Sequence, residues 1–216
     1  MQYAGCRSIF RTAMACAVFI LLTTFTALIS VAQTAPKFLY STDYQGGKVH
    51  GYLVNPTTGS LKPTGQNPPW AHWGPNRVVS DKGGYRLYVI NWGSKDLNAY
   101  FINRNNGYIY GVPGSPVHIG QNSTDVKVHP SGHYVYVTAQ SNWVYAFHVQ
   151  SDGSLVTVPG SPFSTVNKPQ ALAIDPQGKY LYVSSYPASS TPATSEVDAF
   201  SISSTDGALT PVSGSP

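Results

Sequence analysis

Cysteine is scarce in this sequence and confined to its N-terminal end. The 2 cysteines among the 216 residues are Cys6 and Cys16. The rest of the chain has no thiol that could form a disulfide framework, a cysteine-ligated zinc site or a cysteine nucleophile. Stability and chemistry must therefore come from other side chains.

Charge is scarce as well. Charged residues make up 10% of the chain, and 13 Lys and Arg against 9 Asp and Glu give a net charge of +4. Arg7 and Arg11 belong to the N-terminal segment, and leaving them out gives 11 basic residues against 9 acidic ones. Because no run of basic residues occurs, the sequence predicts no nucleic-acid partner. Glu196 is the only glutamate, so potential general bases are few.

Helical periodicity is missing beyond the N-terminal segment. The chain instead contains 15 Tyr, 20 Gly and 17 Pro. Tyrosine favours strands, whereas glycine and proline favour tight turns between them. This composition predicts an all-β fold made of short strands.

The N-terminal segment has the features of a secretory signal peptide. Arg7 and Arg11 precede a mostly apolar, uncharged run from Ala13 to Ala32, and Ser30 and Ala32 are small residues of the kind signal peptidase reads. We expect residues 1–32 to be removed and the protein to be secreted or periplasmic. The alternative is an uncleaved anchor, since an uncharged run of about 20 residues can span a bilayer. Membrane contact is expected only through this segment.

A strand-like unit recurs four times through the remainder, residues 33–216. Its central tyrosines, Tyr40, Tyr88, Tyr136 and Tyr182, are 48, 48 and 46 residues apart. A period of this length made of strands predicts a β-propeller of four-stranded blades. The repeats begin near residues 37, 85, 133 and 179 and supply 15 predicted strands. The first blade lacks its own innermost strand.

Residue types that recur at equivalent positions of the repeats, and a recurring proline motif, support this alignment of the repeats. In the third strand of each blade, a large aromatic residue follows a small residue. A turn that contains glycine separates this strand from the outermost one. The small residues are Gly51, Ala99, Ala146 and Ala199, and the aromatics are Tyr52, Tyr100, Phe147 and Phe200. We interpret these pairs as packing contacts between neighbouring blades. Pro-Gly-Ser-Pro, at residues 113–116 and 159–162, is expected at the outer rim or in the connection back to the centre, because proline cannot occupy a central strand.

Residues 153–163 and 175–183 make the repeat resemble that of the lactonase-type seven-bladed propellers, the fold of a family of 6-phosphogluconolactonases. The repeat is also similar to the Tyr-Val-Thr-Asn propellers of secreted bacterial proteins. The resemblance implies lactone hydrolysis. A seven-bladed ring of this repeat needs about 330 residues. We therefore expect about four blades of a larger ring, either a piece of a longer product or a half-ring completed by another chain. Open strand edges favour self-association.

In propellers of this topology, one rim collects the connections that enter the innermost strands and is the usual ligand-binding face. Four tryptophans map near this rim, and Trp70 and Trp73 are candidates for stacking on a sugar ring. For a lactone hydrolase, His72 or Asp125 could activate water. The candidates for binding an anionic group or the developing oxyanion are Arg77 and Lys127. The alternative for Arg77 and Asp125 is a purely structural ion pair.

Two functions stay open from the sequence. One is an exported hydrolase of a sugar lactone, implied by the resemblance. The other is a non-enzymatic secreted propeller that binds a protein or a glycan. No cofactor is predicted, and His50, His118 and His148 show no spacing typical of a metal site. His129, Asp81 and Asp175 lie in turns and are predicted to be structural.

Overall fold

The computed structural model describes residues 37–186 and 196–215. The predicted signal segment, residues 1–32, lies outside these ranges. All regular secondary structure within them is β-strand, which confirms the predicted all-β class. In the same ranges, no helix is long and apolar enough to cross a membrane.

The strands form four antiparallel sheets in chain order. The first sheet contains β1 (Phe38–Asp43), β2 (Lys48–Val54) and β3 (Leu61–Pro63). The second contains β4 (Pro75–Ser80), β5 (Arg86–Asn91), β6 (Asp96–Ile102), β7 (Ile109–Gly111) and β8 (Val117–His118). The third contains β9 (Ser123–Val128), β10 (Tyr134–Ala139), β11 (Trp143–Val149), β12 (Leu155–Thr157) and β13 (Phe163–Ser164). The fourth contains β14 (Lys168–Ile174), β15 (Tyr180–Tyr186), β16 (Glu196–Ile202) and β17 (Leu209–Pro211).

Each sheet is a simple meander, and the first strand lies innermost in the second, third and fourth sheets. The order is β4-β5-β6-β7 in the second sheet, β9-β10-β11-β12 in the third and β14-β15-β16-β17 in the fourth. The first strands contact one another from sheet to sheet, β4 with β9 and β9 with β14. The first sheet consists of β1-β2-β3 in the described residues, and β1 contacts β4 as the second strands β5 and β10 contact β9 and β14. β1 is therefore equivalent to a second strand. This arrangement is a partial β-propeller, as the repeat predicts.

Two short strands, β8 and β13, come in addition to the 15 predicted ones within the described ranges. They pair with β6 and β11 beyond the ends of β7 and β12. The Pro-Gly-Ser-Pro motif bridges the gap between each pair of outer strands. Its serine replaces the missing strand partner, because Ser161 Oγ accepts the backbone N–H of Ala146 at 2.9 Å. Ser115 and Ser215 do the same for Ala99 and Ala199.

The core consists of three apolar layers, one between each pair of neighbouring sheets. The small-residue column allows close approach of the sheets, and Ala99 and Ala146 are fully buried. The aromatic column fills the same layers with Tyr100, Phe147 and Phe200. The predicted packing pairs are thus present in these three sheets.

The repeated tyrosine hydrogen-bonds the first sheet to the second and the third sheet to the fourth, whereas the buried hydroxyl of Tyr88 has no such partner among the described residues. Tyr40 Oη donates to the carbonyl of Gly107, and Tyr136 Oη donates to the carbonyl of Gly207, both at 2.9 Å. Tyr136 is 0% exposed, whereas Tyr182, its equivalent in the fourth sheet, is 40% exposed. Tyr182 is therefore exposed on the outward face of the fourth sheet, whereas the neighbouring sheet covers Tyr136.

The turns before the second strands are held by the acids and histidine predicted to be structural. Asp81 Oδ1 accepts the N–H of Tyr85 at 2.7 Å, and Asp175 Oδ1 accepts that of Tyr180 at 2.7 Å. These hydrogen bonds favour the carboxylate and lower the pKa of Asp175. His129 links its turn to the next sheet through the carbonyl of Gly178 at 2.9 Å.

Candidate functional site

The segment from residue 68 to residue 75, here called the rim loop, connects the first sheet to the innermost strand of the second. Hydrogen bonds fix it to the turns on either side. The N–H of Ala71 donates to Gly47 at 2.8 Å, and the N–H of Ser94 donates to Trp73 at 3.0 Å. Trp70 also forms a β-bridge with Lys48. The rim loop is therefore a fixed part of the rim.

His72 sits at the centre of the rim loop in a conformation that side chains rarely adopt. Its φ is 76°, in the left-handed region, where histidine is one of the better tolerated residues. Its Nδ1 lies 2.8 Å from Oδ2 of Asp96, the first residue of β6. The His72 side chain is 37% exposed, whereas that of Asp96 is 8% exposed. A buried carboxylate thus holds a half-exposed imidazole.

Further hydrogen bonds fix the carboxylate of Asp96. Its Oδ1 accepts hydrogen bonds from Asn91 Nδ2 and from Ser94 Oγ, the latter at 3.0 Å. Asn91 Nδ2 also donates to Asn98 Oδ1 at 2.6 Å. Because a carboxylate only accepts hydrogen bonds, Nδ1 of neutral His72 is the donor and Nε2 is left unprotonated. This is the tautomer that a general base requires.

Trp70 and Trp73 flank His72 with their rings largely in solvent. They are 60% and 65% exposed, among the most exposed large side chains of the described residues. Trp92, by contrast, is half-buried beyond β5. The sequence-based choice of Trp70 and Trp73 as ligand-binding candidates thus corresponds to two accessible rings next to a candidate base.

Asp125 lies away from this group and carries different contacts. It is buried in β9, where Oδ2 accepts Lys127 Nζ at 2.8 Å and the backbone N–H of Leu172 at 2.9 Å. Its Oδ1 accepts the N–H of Val126 at 2.9 Å. Asp125 therefore joins the third sheet to the fourth, and its oxygens are occupied.

The expected alternative of an Arg77–Asp125 ion pair is wrong for this arrangement. Asp125 pairs with Lys127, two residues along the same strand, because alternate residues of a strand share one face. Arg77 is exposed and its Nη1 donates to the carbonyl of Asn76 at 3.2 Å. Of the two predicted anion-binding residues, Lys127 is thus already neutralised.

Asp96, Asn91 and Ser94 are the contributors that sequence reasoning did not select. At the position of Asp96, the other sheets have Lys48, Trp143 and Glu196, so no recurring residue type marks it. Its significance comes from the approach of the rim loop to β6, which the sequence pattern does not specify.

A cavity of about 190 Å³ lies between the third and fourth sheets. Asp198, Val166, Phe200 and Pro211 line it. Burial raises the pKa of Asp198, although its carboxylate accepts the N–H of Val166 at 3.2 Å. Asp198 occupies the repeat position of Asn98, and Val166 that of His72. The connection before the fourth sheet therefore has valine at the position where the rim loop has His72.

Among the described residues, no group of three or more His, Cys, Asp and Glu side chains could hold a metal ion. The chemistry available at the rim loop is that of an oriented imidazole, two aromatic rings and neutral hydrogen-bonding groups.

Four antiparallel sheets that pack side by side in chain order define a partial β-propeller. The chain belongs to the lactonase family of seven-bladed β-propellers, whose model matches residues 30–216. No curated protein sequence matches the chain.

Solved structures share the fold at low sequence identity. A putative 6-phosphogluconolactonase from Bacteroides uniformis is 18% identical with a TM-score of 0.69, covering 83% of this chain and 52% of its own. A counterpart from Bacteroides fragilis is 22% identical with a TM-score of 0.65, covering 82% and 51%. The Pseudomonas aeruginosa periplasmic gluconolactonase is 17% identical with a TM-score of 0.63, covering 82% and 51%. The chain thus spans about half the length of these proteins.

Proposed function

We propose that this chain provides the rim of an exported hydrolase that opens a sugar lactone. The observation that carries the proposal is the His72 imidazole, hydrogen-bonded at 2.8 Å to the buried Asp96 on a rim loop. Membership of the lactonase family supports the reaction type. The names of the similar structures, two 6-phosphogluconolactonases and a gluconolactonase, support a sugar lactone.

The reaction needs one water molecule and no cofactor. His72 Nε2 removes a proton from water as its oxygen attacks the lactone carbonyl. The resulting oxyanion collapses, the bond between the carbonyl carbon and the ring oxygen breaks, and the ring oxygen takes the proton from His72. The product is the open hydroxy acid. Asp96 stabilises the imidazolium that forms between the two proton transfers, as a buried orienting carboxylate does in hydrolytic triads.

Residues 1–32 support the proposal of export, since they have the composition of a signal peptide. A periplasmic protein among the similar structures agrees with this location. N-terminal sequencing of the exported protein tests it. A mature chain starting near Gln33 is expected, whereas a membrane-bound chain that keeps Met1 contradicts cleavage.

A non-enzymatic glycan-binding propeller is the second candidate. The exposure of Trp70 and Trp73 favours it, because such rings bind sugars without any hydrolytic chemistry. In the hydrolase, His72 is required for turnover. In the glycan-binding propeller, it only maintains the conformation of the rim loop.

We also propose that the chain self-associates through the outward face of its fourth sheet. Tyr180, Tyr182 and Tyr186 are exposed there, whereas Tyr136 in the third sheet is buried. Light scattering on the full chain and on its Tyr182→Lys variant tests this. Oligomers that dissociate in the variant are expected, and an unaltered monomer in both contradicts the proposal.

The function is tested with a panel of sugar lactones, with and without a phosphate group, followed by base uptake at constant pH. The full chain should open at least one lactone faster than buffer does. His72→Ala should lose that turnover, whereas His133→Ala, an exposed histidine in a turn before β10, should retain it. If no lactone is opened faster than in buffer, the hydrolase proposal fails.

A further inference from the structure

Both exposed tryptophan rings contact a glycine of a neighbouring turn. A Cβ added to Gly47 would come within 2.7 Å of Trp70 Cη2, and one added to Gly93 within 2.6 Å of Trp73 Cε3. Only glycine leaves room for these ring positions. Each ring thus packs against a turn, while Trp70 and Trp73 stay 60% and 65% exposed.

The backbone that carries the rings is held on both sides. Tyr100 Oη donates to the carbonyl of Trp70 at 3.3 Å, and Ser94 Oγ donates to that of Trp73 at 3.3 Å. The N–H of Trp92 donates to Gly74 at 2.7 Å. A ligand that stacks on these rings therefore orders little that is not already ordered, which favours binding.

One sequence-predicted candidate for phosphate binding is already occupied. Lys127, a candidate for phosphate binding, has its Nζ at 2.8 and 3.1 Å from the two oxygens of Asp125. The groups beside the tryptophans are His72 and Ser94, which suit hydroxyl groups, and the exposed residues Lys48, bridged to Trp70, and Lys95.

We propose that Trp70 and Trp73 bind successive pyranose rings of an oligosaccharide. Pyranose rings have an apolar face that stacks on aromatic rings, and hydroxyl groups at the edge that hydrogen-bond. Two supported rings three residues apart suit a ligand longer than a monosaccharide.

Resting on the proposed function, this assigns the substrate as an oligosaccharide whose terminal residue is an aldonolactone. Water adds to the carbonyl of that terminal ring, its ring carbon–oxygen bond breaks, and a terminal aldonic acid results. The glycosidic bonds of the remaining rings stay intact. A reaction that oxidises the reducing end of a saccharide must supply this substrate.

Binding is tested separately from turnover, with the full chain and a panel of neutral gluco-, manno-, galacto- and xylo-oligosaccharides. Calorimetry and tryptophan fluorescence should show tighter binding of a trimer or tetramer than of its monosaccharide, by at least about tenfold, as two aromatic contacts imply. Trp70→Ala and Trp73→Ala should each weaken binding by about tenfold or less, the scale of one aromatic contact. Tyr110→Ala, at an exposed aromatic on outer strand β7, is the matched control and should bind as the parent does.

The outcomes separate the two proposals. Oligosaccharide binding that depends on both tryptophans supports the proposed oligosaccharide site, whether or not any lactone is opened. Binding without turnover supports the oligosaccharide site and contradicts the hydrolase proposal. Turnover of a monosaccharide lactone with no preference of the protein for any oligosaccharide contradicts the oligosaccharide site and supports the hydrolase proposal. Oligosaccharide binding that survives both substitutions also contradicts the oligosaccharide site.

Discussion

The rim loop and the equivalent connection before the third sheet have similar backbone conformations but different side chains. The N–H of Ala71 donates to Gly47 at 2.8 Å, and the N–H of Ile119 donates to Lys95 at 2.9 Å. The next residue has a φ of 76° in the first case, His72, and 79° in the second, Gly120. The two connections therefore follow similar paths past the turn of the neighbouring strand.

The side chains on these paths differ completely. The rim loop carries Trp70, His72 and Trp73, whereas the second connection has His118, Gly120 and Gln121 at those positions. A repeated fold thus supplies the path, and departures from the repeat supply the chemistry. Substitutions at shared positions should reduce stability, and substitutions at differing positions should reduce function.

The largest effect is expected at Asp96, which differs from its equivalents in the other sheets. Asp96→Asn should lower turnover by about 10²–10⁴-fold, the range for general-base catalysis, because the amide no longer fixes the His72 tautomer. The pH–rate profile should change with it, which a merely structural role does not require. Asp198→Asn, at a buried aspartate of the fourth sheet, is the control and should leave turnover unchanged. Equal losses in both variants contradict the assignment.

The next largest effect is expected at a shared position. Tyr136→Ala removes a fully buried ring between the third and fourth sheets and should destabilise the fold by about 3–5 kcal/mol. Tyr136→Phe removes only the hydrogen bond to Gly207 and should cost about 1 kcal/mol. Urea unfolding measures both. A Tyr136→Ala variant as stable as the parent means that the sheets do not pack as described.

The Pro-Gly-Ser-Pro serine is a shared position with a smaller effect. Ser161→Ala leaves the buried N–H of Ala146 without its acceptor, which should cost about 1–3 kcal/mol. Ser213→Ala, at an exposed position near the same motif of the fourth sheet, should stay within about 0.5 kcal/mol of the parent. Similar unfolding midpoints for the two variants rule out the proposed role of the motif serine.

The smallest effect concerns Asp198, which stands where the second sheet has Asn98. Because burial raises the pKa of Asp198 above 3.8, the folded state binds more protons than the unfolded state over the pH range just above that value. Stability contributed by protonated Asp198 is present at low pH and lost as pH rises through the raised pKa. Asp198→Asn should therefore be more stable relative to the parent at neutral pH than near pH 3.8. A difference that does not vary with pH contradicts this.

Sequence reasoning reached the fold because the fold is repetitive. Tyrosines such as Tyr88 and Tyr136, the small residues and the glycine turns recur at fixed spacing, and each recurrence tests the alignment. The short strands β8 and β13 were missed because two residues carry no periodicity, and proline beside them indicates a loop.

The candidate site was selected in part from the sequence. His72, Trp70 and Trp73 were selected because they stand out against the repeat, and their roles stay predictions. Asp96 was missed, because its hydrogen bond to His72 spans 24 residues and two sheets. Asp125 and Lys127 were placed on one strand face, but their mutual pairing depends on side-chain conformations that alternation alone does not fix.

Exchanging the chemistry of the two connections while keeping the shared backbone tests the central claim most directly. The variant carries Trp70→His, His72→Gly and Trp73→Gln and keeps the buried Ala71. Lactone turnover and oligosaccharide binding are measured beside urea unfolding. We predict an unfolding midpoint close to that of the parent, because glycine adopts the φ of His72 without strain, together with loss of both activities. A variant that folds equally well and still opens lactones or binds oligosaccharides would contradict the assignment of function to the rim loop.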